Sequence, residues 1–152
     1  MDAKAPPCPI CERGRPLDVL VALDATWVTA AARAPLPGYV CVVSRVHVVE
    51  PFELRGRARQ AFWNEVSTVA EAIAKVTAAT KLNYEIHGNT IPHLHLHLYP
   101  RYPGDPFEAG PIDPRSGDTF ERTEIELAAV REAILRIASR KPGVSRATPR
   151  RA

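Results

Sequence analysis

Three histidines alternate with leucines over residues 93–98, and their spacing is suited to chemistry. His93, His95 and His97 are each followed by a leucine, and strict alternation of this kind predicts a β-strand with one face buried. The leucines would enter the core, and the imidazoles would line the other face about 6.5–7 Å apart. Imidazole serves as nucleophile, proton carrier and metal ligand near neutral pH, whereas a merely solvated face would more naturally carry Thr, Lys or Glu. We therefore expect this strand to carry the function.

The same strand resembles the signature of the histidine triad family of nucleotide hydrolases and transferases, in which three histidines alternate with apolar residues. The segments on either side, residues 88–92 and Pro100-Arg101, resemble that family as well. Residues 37–47 are similar to its segment of Pro-Gly-His, apolar strand and basic-His, with Tyr39 in place of the usual His. The resemblance covers roughly residues 8–107. It implies a five-stranded antiparallel half-barrel, a homodimer, and an activity similar to that of diadenosine polyphosphate hydrolases.

The resemblance also implies roles for the residues around the triad. The middle histidine, His95, would be the nucleophile that attacks the α-phosphorus, with a backbone carbonyl of its own strand fixing its tautomer. His97 would donate to a phosphoryl oxygen. Asn89 and Thr90 would donate to phosphate oxygens, although Asn89 stands where many relatives have Gln. A turn asparagine after a glycine and an ordinary strand-edge threonine are the alternatives for these two positions.

Residues for the rest of a substrate site follow from position. Asn83 is expected on the strand next to the triad, either facing the site or as an amide at the edge of the core. Ile10, Leu23 and Trp27 are candidates to line an apolar pocket for a base.

One departure from the family concerns the ribose. In relatives, an Asp or Asn that precedes the Pro-Gly pair usually binds the ribose hydroxyls. Residues 30–34 contain neither Asp nor Asn. We therefore expect a nucleoside to be bound more weakly or in another orientation.

His87 matches no family position and is interpreted as a loop or rim histidine. Arg101 could steer a polyphosphate, but a solvated surface arginine is the simpler interpretation.

The cysteines suggest a structural metal site. Cys8 and Cys11 form a Cys-x-x-Cys pair, and a closed zinc site needs two further ligands. Resemblance to the zinc-containing branch of the family implies that His47 and His93 supply them. The alternatives are a thioredoxin-like redox pair, which lacks the βαβ context that should follow it, and two ordinary buried thiols.

Hydrophobic periodicity places these residues on an antiparallel α+β scaffold. Apolar residues at spacings of 4, 3, 4 and 3 predict a long amphipathic helix over residues 57–79, and Thr123 to Glu126 predicts a capping box that opens a second helix. The remaining predicted elements are strands over residues 17–23, 26–30, 39–46 and 82–86, and a loop over residues 102–120.

Composition limits the other possibilities. A chain of 152 residues with 45% hydrophobic residues fits one domain, and we expect a domain over residues 8–138 between a disordered start, 1–7, and a basic, disordered tail, 139–152. Five of the 20 basic residues lie in that tail, which leaves 15 against 17 acidic residues elsewhere. This distribution is not the basic face of a nucleic-acid-binding domain. Without a signal sequence or a long apolar run, a cytoplasmic location is expected.

Three functions agree with these observations. The first is a nucleotidyl hydrolase or transferase that acts on dinucleoside polyphosphates or nucleoside phosphoramidates. The second is a metal-dependent hydrolase in which the three histidines bind a catalytic metal. The third is a nucleotide-binding module without turnover, which the missing ribose ligand leaves open.

Overall fold

The computed structural model describes residues 7–108, 110–113, 115 and 118–142. In chain order its elements are α1 (Pro9–Arg13), β1 (Val19–Ala22), β2 (Thr26–Thr29), β3 (Arg33–Ala34), β4 (Val40–Ser44), a 3-10 turn (Pro51–Glu53), α2 (Gly56–Thr77), β5 (Lys81–Glu85), β6 (His95–Arg101), β7 (Phe120–Glu121) and α3 (Glu124–Ala138). This is the predicted α+β class.

The central feature is a five-stranded antiparallel sheet in the order β1-β2-β4-β6-β5. Helices α2 and α3 pack against each other, and the core lies between them and the sheet. Leu94, Leu96 and Leu98 enter this core and are at most 1% exposed, which confirms the predicted direction of the leucines. The histidines of β6 therefore lie on the face of the sheet that is turned away from this core.

The long helix follows its predicted stripe. Phe62, Val66, Val69 and Ile73 are at most 2% exposed, while Val76 at the end of the stripe is 38% exposed. A fully buried Glu65 on the same helix accepts hydrogen bonds from Ala25 N at 2.9 Å and Thr26 Oγ1 at 2.7 Å. A buried carboxylate without hydrogen-bond partners would be costly. These two hydrogen bonds therefore stabilise Glu65 in the core and connect the turn between β1 and β2 to the helix.

Three local features differ from prediction. Residues 9–13 form a helical turn with Cys8 as its N-cap, and β3 pairs with β7 across a gap of more than 80 residues.

The capping box at Thr123, the third difference, is half formed. Thr123 Oγ1 accepts from Glu126 N at 3.1 Å, but the Glu126 carboxylate accepts from Gly38 N and from Arg122 instead. The Arg122 side chain is fully buried, and a buried cation needs a partner more than a helix end does.

The expectation that three histidines share one strand was wrong for His93. The strand begins at His95, because the preceding residues leave the regular ladder: Leu94 N donates to Val48 O at 2.7 Å and His93 N donates to Ile91 O at 2.8 Å. This irregular start allows the His93 ring to serve a different group from the other two.

The ends of the chain are only partly described. Residues 1–6 and 143–152 lie outside the described residues, so the predicted disorder of both ends stays a prediction. Within the predicted tail, Lys141 pairs with Glu71 of α2 at 2.7 Å. In the part of the chain that is described, no helix combines the length and the apolar character that crossing a bilayer requires.

Candidate active site

The open face of the sheet is organised by the neighbours of β6. Residues paired directly across two strands share a face, and here Val43 pairs with His95, while Cys41 and Glu85 flank His97 on either side. Asn83 pairs with Tyr99 on the same face. The site therefore extends across β4, β6 and β5.

His95 has one nitrogen engaged and one available. Its Nδ1 lies 2.6 Å from the carbonyl oxygen of His93, and a carbonyl can only accept, so Nδ1 carries the proton. The lone pair of a neutral His95 is then on Nε2. The ring is partly exposed, and its centroid lies 5.1 Å from that of His97.

His97 is held by tyrosines. Its Nδ1 lies 2.8 Å from Tyr39 Oη, and its ring stacks with those of Tyr39 and Tyr99. Burial raises the pKa of Tyr39 well above its ordinary value, so this hydroxyl keeps its proton and can donate it to Nδ1. Burial, then the neighbouring His95 and His87, lower the pKa of His97 to about 4. A neutral His97 that accepts at Nδ1 presents an N–H at Nε2.

Cys8, Cys11, His47 and His93 converge beside this strand. Their ligand atoms all lie within 4.8 Å of one another. Cys8 Sγ is 3.4 Å from His93 Nδ1, Cys11 Sγ is 3.2 Å from His47 Nδ1, and the two Nδ1 atoms are 3.2 Å apart. Ligands of a tetrahedral metal with bonds of about 2.0–2.3 Å stand about 3.3–3.8 Å apart. The four side chains therefore have the spacing and chemistry of a group that could bind a metal ion.

The tautomer of His93 fits the same interpretation. Its Nε2 donates to Ser44 O at 2.7 Å, which leaves Nδ1, the nitrogen that faces the thiols, without a proton. Metal-binding histidines commonly donate their second N–H to a carbonyl in this way. His93 is 2% exposed, and its carbonyl oxygen accepts the hydrogen bond from His95 Nδ1. His93 therefore links the candidate metal group, through its side chain, to the candidate nucleophile, through its backbone.

An apolar cluster lies next to His95 and contains two of the predicted pocket residues. Ile10, from α1, and Trp27, from β2, pack with Val43, Cys8, Cys41 and Ile91. The Arg45 guanidinium lies 4.8 Å from the centroid of the Trp27 ring. The third predicted residue, Leu23, was placed wrongly: it is fully buried in the core between the sheet and the helices.

The remaining predicted residues lie in the segment before β6 and at the far end of β5. Asn89 and Thr90 are exposed in the segment between β5 and β6, after Gly88 at a positive φ of 77°. Asn83 lines a cleft of about 600 Å³ at the far end of β5. Arg101 lines this cleft too, but its interpretation as a solvated residue was wrong: its side chain is 11% exposed and donates to Asp105 at 2.8 and 3.0 Å.

Sequence reasoning missed three contacts. Tyr39 was noted only as a substitution, Glu85 was given no role, and His87 was left at the rim. In the structure His87 Nε2 donates to Glu85 Oε2 at 2.9 Å, and the rings of His87 and His97 are 5.8 Å apart. The alternation of Asn83, Glu85 and His87 on one strand face was the available signal for the last two.

The comparisons with known proteins agree with this geometry. A family model, the HIT domain, matches residues 13–104. The chain belongs to the HIT family. Membership supports a nucleotide-binding or hydrolytic function of the HIT type, in a family that includes hydrolases, transferases and some non-catalytic members.

Solved structures of HIT proteins are similar to this chain. A histidine triad protein from Marinobacter aquaeolei VT8 is 28% identical with a TM-score of 0.68, covering 80% of this chain and 88% of that one. A HIT protein from Sinorhizobium meliloti 1021 is 25% identical with a TM-score of 0.68, covering 78% and 87%. A zinc-bound HIT family protein from Mycobacterium smegmatis shares the fold, with 20% identity, a TM-score of 0.65 and coverage of 88% and 97%. No curated protein matches the chain.

Proposed function

We propose that the protein is a nucleotidyl hydrolase or transferase that acts on the α-phosphate of dinucleoside polyphosphates or nucleoside phosphoramidates. The observation that carries this proposal is the 2.6 Å hydrogen bond from His95 Nδ1 to His93 O. It leaves Nε2 of a partly exposed imidazole with a free lone pair, which is what a nucleophile in this family position needs.

The reaction would proceed in two steps. Nε2 of His95 forms a bond to the α-phosphorus while the bond to the leaving group breaks, which gives a nucleotidyl-histidine. Water then attacks the same phosphorus and His95 leaves as a neutral imidazole. His97, neutral and with its N–H at Nε2, would donate to a phosphoryl oxygen as charge develops there, and Asn89 and Thr90 would supply further donors.

The apolar cluster is the proposed site of the nucleoside base. Ile10 and Trp27 lie on the β4 side of His95, within contact of Val43, so a base bound there would place its α-phosphate near β6. Residues 30–34 bring no carboxylate or amide to the ribose. Asn83 lies on the β5 side of the same face, where it would contact the opposite end of a long substrate.

We propose zinc as the ion that Cys8, Cys11, His47 and His93 would hold, in a structural role. Two thiolates and two imidazoles are a common ligand set for structural zinc, and the zinc-bound HIT family protein of the same fold supports this choice. When bound, the ion would cross-link α1 and the segment after β4 to the start of β6. Among the described residues, neither His95 nor His97 belongs to a converging group of three metal ligands, which favours imidazole attack over a metal-bound hydroxide.

Two further proposals concern the setting of this function. We expect a homodimer, as is common for proteins of this family, and a cytoplasmic location, where nucleotide substrates are available. Size-exclusion chromatography with light scattering would test the first, and fractionation of cells would test the second.

Trapping the covalent intermediate would test the mechanism. After brief incubation with a labelled nucleoside phosphoramidate and a basic quench, the peptide that contains His95 should carry the nucleotide. His95→Ala should lose label and turnover but keep its metal content and melting temperature. Loss of metal from His95→Ala, together with an unlabelled active wild type, would favour the metal hydrolase. Saturable nucleotide binding by a wild type that never turns over would favour the binding module.

A further inference from the structure

A histidine and a glutamate on β5 extend the site beyond the triad. The register pairs Lys81 with Arg101, Asn83 with Tyr99 and Glu85 with His97, and two more residues along the same register would put His87 opposite His95. The ladder ends at Glu85, but the His87 ring does lie 5.8 Å from that of His97. The Glu85 carboxylate accepts its Nε2–H at 2.9 Å.

The exposure of this pair suits a role at the mouth of the site. The His87 side chain is 54% exposed, whereas that of Glu85 is 16% exposed. A shielded carboxylate thus holds one nitrogen of a ring whose other nitrogen, Nδ1, remains for a substrate. A carboxylate that fixes a histidine tautomer and stabilises its cationic form is a recurring arrangement for proton transfer.

The triad itself has no strong acid to offer. His95 uses its lone pair for attack. His97 is neutral at pH 7, since its pKa is lowered to about 4, and a neutral imidazole donates a hydrogen bond but gives up its proton poorly. Burial raises the pKa of Tyr99 and of Cys41 to about 12 each. A leaving group that must take up a proton, such as an amine, therefore needs a donor from outside the triad.

We propose that His87, positioned by Glu85, is the general acid that protonates the leaving group. This inference rests on the proposed function and narrows its substrate class toward nucleoside phosphoramidates and other substrates with strongly basic leaving groups. In the described part of the chain, the titratable groups that contact His87 include Glu85 on β5 and His97 on β6, with His95 next along β6.

The first step then balances. The lone pair of His95 Nε2 forms the P–N bond, the bond from phosphorus to the leaving nitrogen breaks, and that nitrogen takes the proton from Nδ1 of the His87 imidazolium. The amine leaves neutral, and His87 remains neutral with its Nε2–H on Glu85. Water attack in the second step can return a proton to the same Nδ1.

Two substrates that differ only in the leaving group would test this assignment. A nucleoside 5′-phosphoramidate of an alkylamine needs a proton to depart, whereas the nucleoside 5′-(p-nitrophenyl phosphate) releases a stable anion. We would measure the first turnover by quench flow, so that the second step does not enter. In His87→Gln, amine release should slow by about 10²–10⁴-fold, the usual contribution of a general acid, and p-nitrophenolate release should stay close to wild type.

Two more variants make the result specific. Glu85→Gln removes the carboxylate that accepts from His87 Nε2 and orients the ring, so it should slow amine release less than His87→Gln does and leave p-nitrophenolate release close to wild type. Lys81→Gln removes a charge from the same strand face without touching His87, and both substrates should react as in wild type.

The outcomes separate the two proposals. Equal slowing of both substrates by His87→Gln, or of neither, would overturn the role of His87 while leaving His95 as nucleophile. A wild type that releases p-nitrophenolate but no amine would overturn it as well. A wild type that reacts with neither substrate and takes up no nucleotide would refute the proposed function, and the role of His87 with it.

Discussion

At the scale of single residues, the three histidines differ in which nitrogen is engaged and by what. His93 donates from Nε2 to a carbonyl and turns Nδ1 to the thiols, whereas His95 donates from Nδ1 and keeps Nε2 free. His97 has Nδ1 against a tyrosine hydroxyl. The three proposed roles, metal ligand, nucleophile and hydrogen-bond donor, are therefore separated by hydrogen-bond partners that the alternating sequence does not encode.

The Tyr39 hydroxyl offers a direct test at this scale. In Tyr39→Phe, the N–H of a neutral His97 would no longer be directed to Nε2, so kcat should fall by up to about tenfold, the equivalent of one hydrogen bond. Nitrogen NMR should show the proton distributed over both His97 nitrogens in the variant and held on Nε2 in wild type. Tyr102→Phe is a matched control, since Tyr102 Oη donates to Pro37 O at 2.8 Å away from the triad. Identical His97 spectra in wild type and Tyr39→Phe would contradict the assigned role.

At the scale of elements, the candidate metal group and strand β6 are joined through the backbone of His93. Its side chain belongs to the group with Cys8, Cys11 and His47, and its carbonyl accepts from His95. Any change that releases the His93 ring should therefore also loosen the His95 ring, the proposed nucleophile. The short helix α1 takes part in both, because Cys8 is its N-cap and Ile10 packs beside Trp27.

Replacing single cysteines should show this connection. Cys8→Ser should lose bound metal and lower Tm by about 10 °C or more, since metal-binding energy is folding energy, and turnover should fall with it. Cys41→Ser is the matched control. Cys41 lies on β4, where it pairs with His97 of β6, but it is outside the metal group. The Cys41→Ser variant should therefore keep its metal. Metal analysis and thermal melts would measure both. If Cys8→Ser lost metal and activity but melted like wild type, a catalytic metal would be indicated instead.

The sequence was a good guide to elements with their own periodicity and a poor one to long-range pairing. The stripe of α2 and the alternation of β6 follow from residues close in the chain. The β3–β7 pair joins Arg33 to Glu121, and no local pattern marks either strand. The capping box formed only in part for a related reason: the Glu126 carboxylate accepts from Gly38 N, 88 residues away in the chain, as well as from the neighbouring buried Arg122. In the site, the same limit hid the contact between Tyr39 and His97, which are 58 residues apart.

At the scale of the whole molecule, charge is unevenly distributed along the chain. The net charge is +3, and residues 143–152 contribute three arginines and no acidic residue. The last described basic side chain before them, Lys141, is anchored to Glu71 on α2 at 2.7 Å. A cut after Pro142 would therefore keep this ion pair and bring the formal net charge to zero.

We expect such a shortened protein to fold and react as the full chain does. Residues 143–152 carry no apolar periodicity and include Pro149, so they have little to contribute to a core. Tm and kcat/KM should stay close to those of the full chain at moderate salt, while solubility near neutral pH should fall because the net charge is lost. A second cut after Ala138 would also remove Lys141 and serves as a comparison; it should lower Tm slightly, as expected for a partly exposed ion pair. A large fall in Tm or in turnover after the first cut would show that residues 143–152 pack on the domain or on a second subunit.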